Sequence, residues 1–187
     1  MTEFETTITT VLAELERALR SVDPQSVTAL VQAILQSRRI FIAGKGRSGL
    51  QMRAFAMRLM HMGLTVHVVD EVTTPALGAS DLLLVGSSSG QTASVVEYAK
   101  RAQSLGSRVV LITSAASSPV AERASIIVRI EAPPATGSDP ALRHTIQPMG
   151  SLFEQTLGVL LDIVVLQLMA AQNLTSDQMH RRHANLE

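Results

Sequence analysis

Hydrophobic residues recur at helical spacing through the first 37 positions of the chain. This period predicts a helix over about residues 3–20, with an apolar face of Ile8, Val11, Leu12, Leu15 and Leu19. Asp23 followed by Pro24 combines an N-cap residue with proline at the first helical position, which predicts a second helix. It extends to about Ser37 and has an apolar face of Val27, Leu30, Val31 and Ile34. The chain therefore opens with two amphipathic helices.

From Arg39 onward the pattern changes to short apolar runs that alternate with helical ones. The apolar runs predict five strands, at residues 40–43, 64–69, 82–85, 109–113 and 126–130. The segments between them predict helices at about residues 48–61, 93–105 and, more briefly, 119–123. Alternating strands and helices are typical of parallel βαβ units whose helices cover both faces of a sheet. We therefore expect the α/β class, as a three-layer αβα sandwich with a five-stranded parallel sheet, Rossmann-like or flavodoxin-like.

A loop rich in Pro, Gly and Ser, at about residues 132–148, leads from the predicted sheet to an apolar helix at about residues 150–172. Its apolar stretch contains Asp162 and Gln167 and is shorter than the roughly 20 residues of a membrane span, so we expect no membrane association. A helix this apolar around its circumference packs on more than one side, which favours a homo-oligomer. We expect residues 1–187 to form one domain, with the helices at 3–37 and the segment 150–187 packed on it.

Composition narrows the possible classes of function. The formal net charge is +0, which argues against nucleic-acid binding because that needs a basic face. The chain has no Cys, which removes disulfides, thiol catalysis and Cys-based zinc sites. Its first ten residues are acidic and polar, unlike a signal peptide. These features predict a cytoplasmic globular protein.

Two loops at the carboxyl ends of predicted strands carry the candidate chemistry, because ligands of parallel sheets bind beyond those ends. The first loop, residues 44–49, reads GKGRSG and precedes a helix, whose N-terminus favours an anion. Its Gly46 lets backbone approach a ligand, Arg47 would lie near a phosphate, and Ser48 adds a hydroxyl. The same GxGxxG spacing also describes a dinucleotide-binding turn, and Asp70 follows where a ribose-binding acid is expected. The first loop alone leaves both interpretations open.

The serine loop, residues 87–92, reads SSSGQT and again precedes a helix. Its hydroxyls and amides form a neutral cradle for a phosphoryl group, which needs no lysine because the helix dipole adds to the donors. An ordinary turn with an N-cap serine is the alternative. A second loop of this kind favours a site, to which Thr113 and Ser114 are close. The candidate substrate-binding residues are Gly46, Arg47, Ser48, Ser87, Ser89, Gly90, Gln91 and Thr92.

Both loops resemble the paired loops of SIS-domain proteins, which bind phosphosugars. Residues 55–61 (FAMRLMH), 147–154 (QPMGSLFE) and 182–187 (RHANLE) resemble the 6-phospho-3-hexuloisomerase family within that class. The similarity covers nearly the whole chain. It implies interconversion of D-arabino-hex-3-ulose 6-phosphate and D-fructose 6-phosphate through an enediolate, in the ribulose monophosphate pathway of formaldehyde fixation. It also implies a homotetramer without metal or nucleotide cofactor, functionally coupled to 3-hexulose-6-phosphate synthase.

Glu154, His183 and His61 are the candidate catalytic residues within this resemblance. Moving a ketone between two carbons needs a base beside the carbonyl and a group that moves protons between the oxygens. Glu154, in the first turn of an apolar helix, is the candidate base. His183 is the candidate for oxygen-to-oxygen proton transfer or ring opening, from its own or a neighbouring subunit, and His61 is a secondary candidate. His180 and His183, three residues apart, are too few ligands to propose a metal site.

Three positions in the two loops depart from the family pattern. Lys45 stands where a small residue is common, Ser88 where glycine is common and Gln91 where glutamate is common. They bear on affinity or substrate preference and leave the Ser and Thr donors intact. Three other functions remain open: a non-catalytic phosphosugar sensor, an isomerase of pentose or heptose phosphates, and a dinucleotide-binding module.

Overall fold

The computed structural model describes residues 2–133 and 145–186. Its helices are α1 (Glu3–Arg20), α2 (Pro24–Gln36), α3 (Gly46–His61), α4 (Ala93–Ser104), α5 (Ser151–Gln172) and α6 (Ser176–His180). Its strands are β1 (Ile40–Gly44), β2 (Val66–Val68), β3 (Leu82–Gly86), β4 (Arg108–Thr113) and β5 (Ile126–Arg129), with a 3₁₀ turn at Ala121–Arg123. Residues 134–144, most of the predicted Pro-, Gly- and Ser-rich loop, lie outside the described residues, as does Glu187.

The strands form one parallel sheet in the order β2-β1-β3-β4-β5. Because β2 lies on one side of β1 and β3 on the other, the strand order reverses between β1 and β3, as in flavodoxin-like sheets. The two strands are in register, and Gly44 at the end of β1 lies beside Gly86 at the end of β3. The predicted α/β fold with a five-stranded parallel sheet is confirmed.

Alternation of side chains along the strands creates a separate core on each face of the sheet. On one face, Ile42, Leu84 and Ile112 join the larger core, which α2, α3 and α5 cover. Helix α1 packs on α5 outside this layer. On the other face, Phe41 and Leu111 pack beneath α4 and the 3₁₀ turn. The helices therefore cover both faces, as predicted.

Some element bounds differ from those predicted, each for a local reason. Strand β2 is shorter than residues 64–69 because the Leu64 amide bonds the Leu59 carbonyl at 3.1 Å, which makes Leu64 part of the turn that ends α3. Helix α3 begins at Gly46 instead of about residue 48. Helix α6 was not predicted, because it is short and only Met179 is buried. A capping box between Thr175 and Gln178 defines its start.

Helix α5 is long and apolar enough, by length and composition, to cross a membrane. Half of its most apolar window is buried inside the fold, which is how a core helix of a globular protein behaves. Gly158 allows close approach to α3, since a Cβ there would lie 2.6 Å from Oε1 of Gln51. Away from α3 the helix exposes an apolar stripe of Val159, Ile163 and Leu166.

Candidate active site

The first loop and the serine loop lie side by side at the carboxyl edge of the sheet. They follow β1 and β3, the neighbouring strands between which the strand order reverses. Crevices at such a reversal are the usual ligand sites of open α/β sheets. The fold therefore brings both sequence-predicted loops to one place.

The first loop turns tightly because its glycines touch one another. A Cβ on Gly49 would lie 2.7 Å from the carbonyl oxygen of Gly44, so the residue must stay small. Gly46 has a φ of 57°, in the left-handed region that favours glycine. Ser48 is buried, whereas Gly46 and Arg47 are exposed to a ligand.

The serine loop divides its residues between support and presentation. The buried Ser87 hydroxyl accepts a hydrogen bond of 3.1 Å from the Gly90 amide and shapes the turn. The Ser89 hydroxyl accepts one of 3.2 Å from the Gln91 amide and, being exposed, can donate its own proton to a ligand. Gln91 and Thr92 are exposed beside it. Ser89, Gln91 and Thr92 thus form the accessible part of the predicted cradle.

The end of β4 braces the serine loop from the next strand. The carbonyl of Ser88 accepts hydrogen bonds from the Thr113 hydroxyl at 2.9 Å and the Ser114 amide at 3.1 Å. The hydroxyls of Ser88 and Ser114 are 2.7 Å apart. A cavity of about 480 Å³, lined in part by Ser114 and Leu152, opens beside this bond, between the ends of β4 and β5, α1 and the start of α5. Such a volume accommodates a small ligand.

Three helix N-termini open toward this edge without a side-chain cap. In the described part of the chain, the N-cap residues of α3, α4 and α5, namely Lys45, Thr92 and Gly150, make no side-chain bond to the first helical amides. By contrast, Thr2, Asp23 and Thr175 cap α1, α2 and α6 with their side chains. Uncapped amides and the positive end of the helix dipole favour a bound anion.

Glu154 joins α5 to the first loop. One of its carboxylate oxygens, Oε2, lies 3.0 Å from Nε of Arg47. The Glu154 side chain is only 18% exposed, whereas that of Arg47 is 57% exposed. The structure therefore places the candidate base, partly shielded from water, next to the first loop.

Asp70 does not have the free carboxylate that a ribose site would need. Lys45 and Tyr98 both donate hydrogen bonds to it, Lys45 from the first loop and Tyr98 from α4. These bonds, from Lys45 and then Tyr98, hold the pKa of Asp70 below its usual range. Neither partnership was predicted from the sequence, because residues 45, 70 and 98 are far apart along the chain. This arrangement counts against the dinucleotide interpretation.

The candidate histidines lie at the opposite end of the molecule from Glu154. Arg47 and His61 stand near the two ends of α3, which at 1.5 Å per residue separates them by about 21 Å. The buried His61 ring stacks on His183 with centroids 5.2 Å apart, and His183 lies 5.8 Å from His180. A single protomer therefore brings His61 and His183 together but not to Glu154.

The environment of His61 disfavours a positive charge on its ring. Burial, followed by the nearby His183, Arg58 and His180, lowers the pKa of His61. Arg182 donates a 3.2 Å hydrogen bond to the His61 carbonyl, which anchors the tail to the end of α3. Among the described residues, no group of three or more His, Cys, Asp or Glu side chains is placed to hold a metal ion.

Sequence reasoning missed two supporting residues. Ser118 packs so closely on Gly90 that a Cβ at Gly90 would lie 2.1 Å from its hydroxyl. Glu14 of α1, 5% exposed, accepts hydrogen bonds from the Thr145 hydroxyl at 2.6 Å, the Ile146 amide at 2.8 Å and the Gln147 side chain at 3.0 Å. The sequence carries no local signal for Glu14, because it lies off the predicted apolar face of α1. Once buried, its carboxylate needs these partners.

Comparison with known proteins agrees with the site. The chain matches the SIS domain over residues 33–158. It is 44% identical over 177 residues, 95% of each chain, to the 3-hexulose-6-phosphate isomerase of Bacillus subtilis (strain 168). The protein of the same name from Mycobacterium gastri is 46% identical over 166 residues, which are 89% of this chain and 82% of that one.

A solved structure resembles the fold over its full length. It is the crystal structure of a hypothetical protein from Methanococcus jannaschii, from which a molecular function of 3-hexulose-6-phosphate isomerase was inferred. The two chains are 32% identical, superpose with a TM-score of 0.81, and cover 100% of one another. With the paired loops, the strand order and these similarities in agreement, the chain belongs to the SIS-domain family.

Proposed function

We propose that this chain is an isomerase that interconverts D-arabino-hex-3-ulose 6-phosphate and D-fructose 6-phosphate through an enediolate. The observation that carries the proposal is the set of three uncapped helix N-termini around the serine loop, with Glu154 beside them. The high identity to proteins named 3-hexulose-6-phosphate isomerase supports the choice of substrate. The same support favours a ketohexose over a pentose or heptose phosphate.

Binding would begin at the phosphate. Its oxygens would accept hydrogen bonds from the exposed Ser89 and Thr92 hydroxyls, the Gln91 side chain and the first amides of α4. Ser87 and Gly90 would act by holding the turn, together with Ser48 in the neighbouring loop. Gly46 and Arg47 would close the site from the first loop. The sugar would then extend toward Glu154, whose shielding from water suits proton transfer.

Glu154 would act as the base of the isomerisation. It would take the proton from carbon 2 of the 3-ketose, giving a 2,3-enediolate, and return it to carbon 3 to complete the 2-ketose. Meanwhile a second group must carry a proton from the oxygen on carbon 2 to the oxygen on carbon 3. Arg47, 3.0 Å from Glu154, would hold the carboxylate in position.

His183, assisted by His61, would supply this second group from a neighbouring protomer. The separation of about 21 Å along α3 prevents the histidines from reaching Glu154 of their own chain. Apolar stripes on α1 (Phe4, Ile8 and Leu12) and α5 (Val159, Ile163 and Leu166) are exposed and suit contact between protomers. We therefore include a homotetramer in the proposal.

The proposed substrate also bears on the cofactors, the cellular location and the pathway of the enzyme. The reaction moves hydrogen within one molecule, so it needs no external redox cofactor, and the proposed mechanism assigns its proton transfers to side chains without a metal. The enzyme would act in the cytoplasm, in the ribulose monophosphate pathway, on the product of 3-hexulose-6-phosphate synthase. The helices outside residues 33–158 would belong to the same domain, because α1 packs on α5 and α2 packs against β5.

Replacing Glu154 by Gln tests the proposed base. The variant keeps the size and hydrogen-bonding capacity of the side chain but cannot accept the proton. We expect kcat to fall roughly 10²- to 10⁴-fold, with little change in KM, in an assay that couples the synthase to detection of fructose 6-phosphate. Glu97→Gln, on the exposed face of α4, is the matched control and should retain activity. Full activity of Glu154→Gln would remove Glu154 from the mechanism, and an inactive wild-type chain would refute the isomerase.

A further inference from the structure

Lys45, Asp70 and Tyr98 form a connected unit that the proposed mechanism does not use. Lys45 precedes α3, Asp70 follows β2 and Tyr98, the single tyrosine of the chain, lies on α4. The Lys45 ammonium and the Tyr98 hydroxyl both donate to the Asp70 carboxylate. The ammonium also lies 5.6 Å from the centre of the Tyr98 ring. The positive charge of Lys45, in the first loop, is thus paired with a carboxylate that follows the neighbouring strand β2.

The register of the sheet places this lysine beside the serine loop. Ala43 pairs with Val85 and Gly44 with Gly86, so the next residues, Lys45 and Ser87, end adjacent strands that are about 4.8 Å apart. Lys45 has extended backbone angles, and the Ser87 amide continues the ladder with a 3.0 Å bond to Ile112. Alternation therefore puts both side chains on the face that α4 covers. Released from Asp70, the long lysine side chain would reach the serine loop.

The backbone of Asp70 is strained, which indicates that its surrounding contacts hold it in place. Its φ of 79° lies in the left-handed region, which is strained for a residue with a side chain. Such strain persists where surrounding contacts impose it, and it is concentrated at functional sites. Lys45 and Asp70 are each a little over 40% exposed and line a cavity of about 260 Å³ beside the first loop. Their charges are therefore close to any ligand of that loop.

We propose that Lys45 and Asp70 form a charge pair that sets the affinity of the phosphosugar site, with Asp70 holding the lysine charge away from the phosphate. This inference rests on the proposed function. While Lys45 is paired with Asp70, hydroxyls, amides and helix dipoles bind the phosphate. The Lys45 ammonium then does not slow release of the phosphosugar. Lys45 thus sets the affinity for the phosphate, and Asp70 is a positioning residue that acts through it.

Removing either charge should change phosphate affinity in opposite directions. Asp70→Asn keeps the shape, and asparagine tolerates the left-handed backbone. It would free the ammonium, so fructose 6-phosphate should bind about three- to tenfold more tightly, measured by titration calorimetry. Lys45→Met would leave a bare carboxylate beside the loop, and binding should weaken about three- to tenfold. The double variant should bind within about twofold of the wild type.

Glu71→Gln is the matched control. Glu71 adjoins Asp70 and pairs with Arg53 at 2.8 Å, so the variant makes the same change in net charge without touching Lys45. It should leave affinity within about twofold of the wild type. Equal tightening by Glu71→Gln, or two single variants that both weaken binding, would overturn the inference and leave only a structural role.

Two further outcomes remain distinguishable. If Asp70→Asn fails to fold, Lys45→Met decides the case. Unchanged or tighter binding by Lys45→Met overturns the charge pair. Weaker binding by Lys45→Met supports the pair if adding Asp70→Ser to that variant restores the affinity. A wild-type chain that binds neither fructose 6-phosphate nor inorganic phosphate refutes the phosphosugar site itself. Binding of phosphate-free fructose is the background for each titration.

Discussion

Gly90 shows how a single residue decides the shape of the proposed phosphate cradle. It combines a φ of 60° with the close approach of Ser118, so a side chain is disfavoured by both backbone and space. We expect Gly90→Ala to lower the free energy of unfolding by about 3 kcal/mol, the sum of backbone strain and overpacking. Chemical denaturation measures this change. Binding of fructose 6-phosphate should weaken as well, because the loop must move.

Gly46→Ala separates these two causes. Gly46 has nearly the same φ, 57°, but among the described residues no atom lies within 4 Å of an added Cβ. Its cost should be backbone strain alone, about 1 kcal/mol. Equal losses in the two variants would show that contact with Ser118 contributes nothing.

At the residue scale, the sequence predicted which groups could matter but not how they pair. The serine and glycine pattern was sufficient to place Ser89 and Thr92 in a loop before a helix. Nothing in the local pattern connects Arg47 to Glu154, or Lys45 to Asp70 and Tyr98. Such partnerships depend on strand order, which brings distant segments to one edge.

At the element scale, the attachment of the C-terminal tail to α3 depends on pH. The stacked rings of His61 and His183 join it to the end of α3. Because burial and neighbouring positive charge lower the pKa of His61 in the folded state, the unfolded chain binds a proton more readily. The contribution of neutral His61 to the free energy of unfolding is therefore fully present above about pH 6.5, the pKa of an unperturbed histidine. It is lost as the pH falls below that value.

Denaturation titrations at several pH values check this expectation. The free energy of unfolding should fall as the pH drops below about 6.5, with His61 contributing at most about 1.4 kcal/mol per pH unit. His61→Asn cannot titrate and should show a shallower decline. An identical slope for the variant and the wild type would assign the pH dependence to other groups.

At the element scale, long periodic segments were predicted well and short ones were not. Helices α1 and α2 match their predicted bounds closely, because hydrophobic spacing defines both and an N-cap residue followed by proline also marks the start of α2. Helix α6 is only one turn long and buries a single side chain, so its pattern carries little information. Strand β2, at the edge of the sheet, is likewise limited by the turn before it.

At the scale of the whole molecule, the proposed mechanism requires Glu154 and His183 to lie in the same active site. If each active site combines Glu154 of one protomer with His183 of another, Glu154→Gln and His183→Asn chains should complement each other. Unfolding and refolding an equal mixture should restore about a quarter of wild-type activity, since half of the carboxylates and half of the histidines are intact. The coupled synthase assay measures the recovery.

Refolding each variant alone is the control and should restore nothing. A mixture no more active than its components would place both residues in one chain, or remove His183 from the reaction. This scale was also the least accessible to sequence reasoning. Spacing along the chain gives the length of α3, but not that Glu154 packs at its start and His183 at its end.

The buried carboxylate of Glu14 ties α1 to the segment that leads into α5. Glu14 lies on α1, outside the region that matches the SIS domain, yet it fastens residues 145–147 just ahead of α5. Burial alone would raise its pKa, but hydrogen bonds from Thr145, Gln147 and Ile146 outweigh burial and lower it, so the clamp stays charged at neutral pH. A fragment trimmed to the family match would therefore lose an anchor of the helix that carries Glu154. We therefore expect the minimal catalytic unit to include α1 as well as the region that matches the SIS domain.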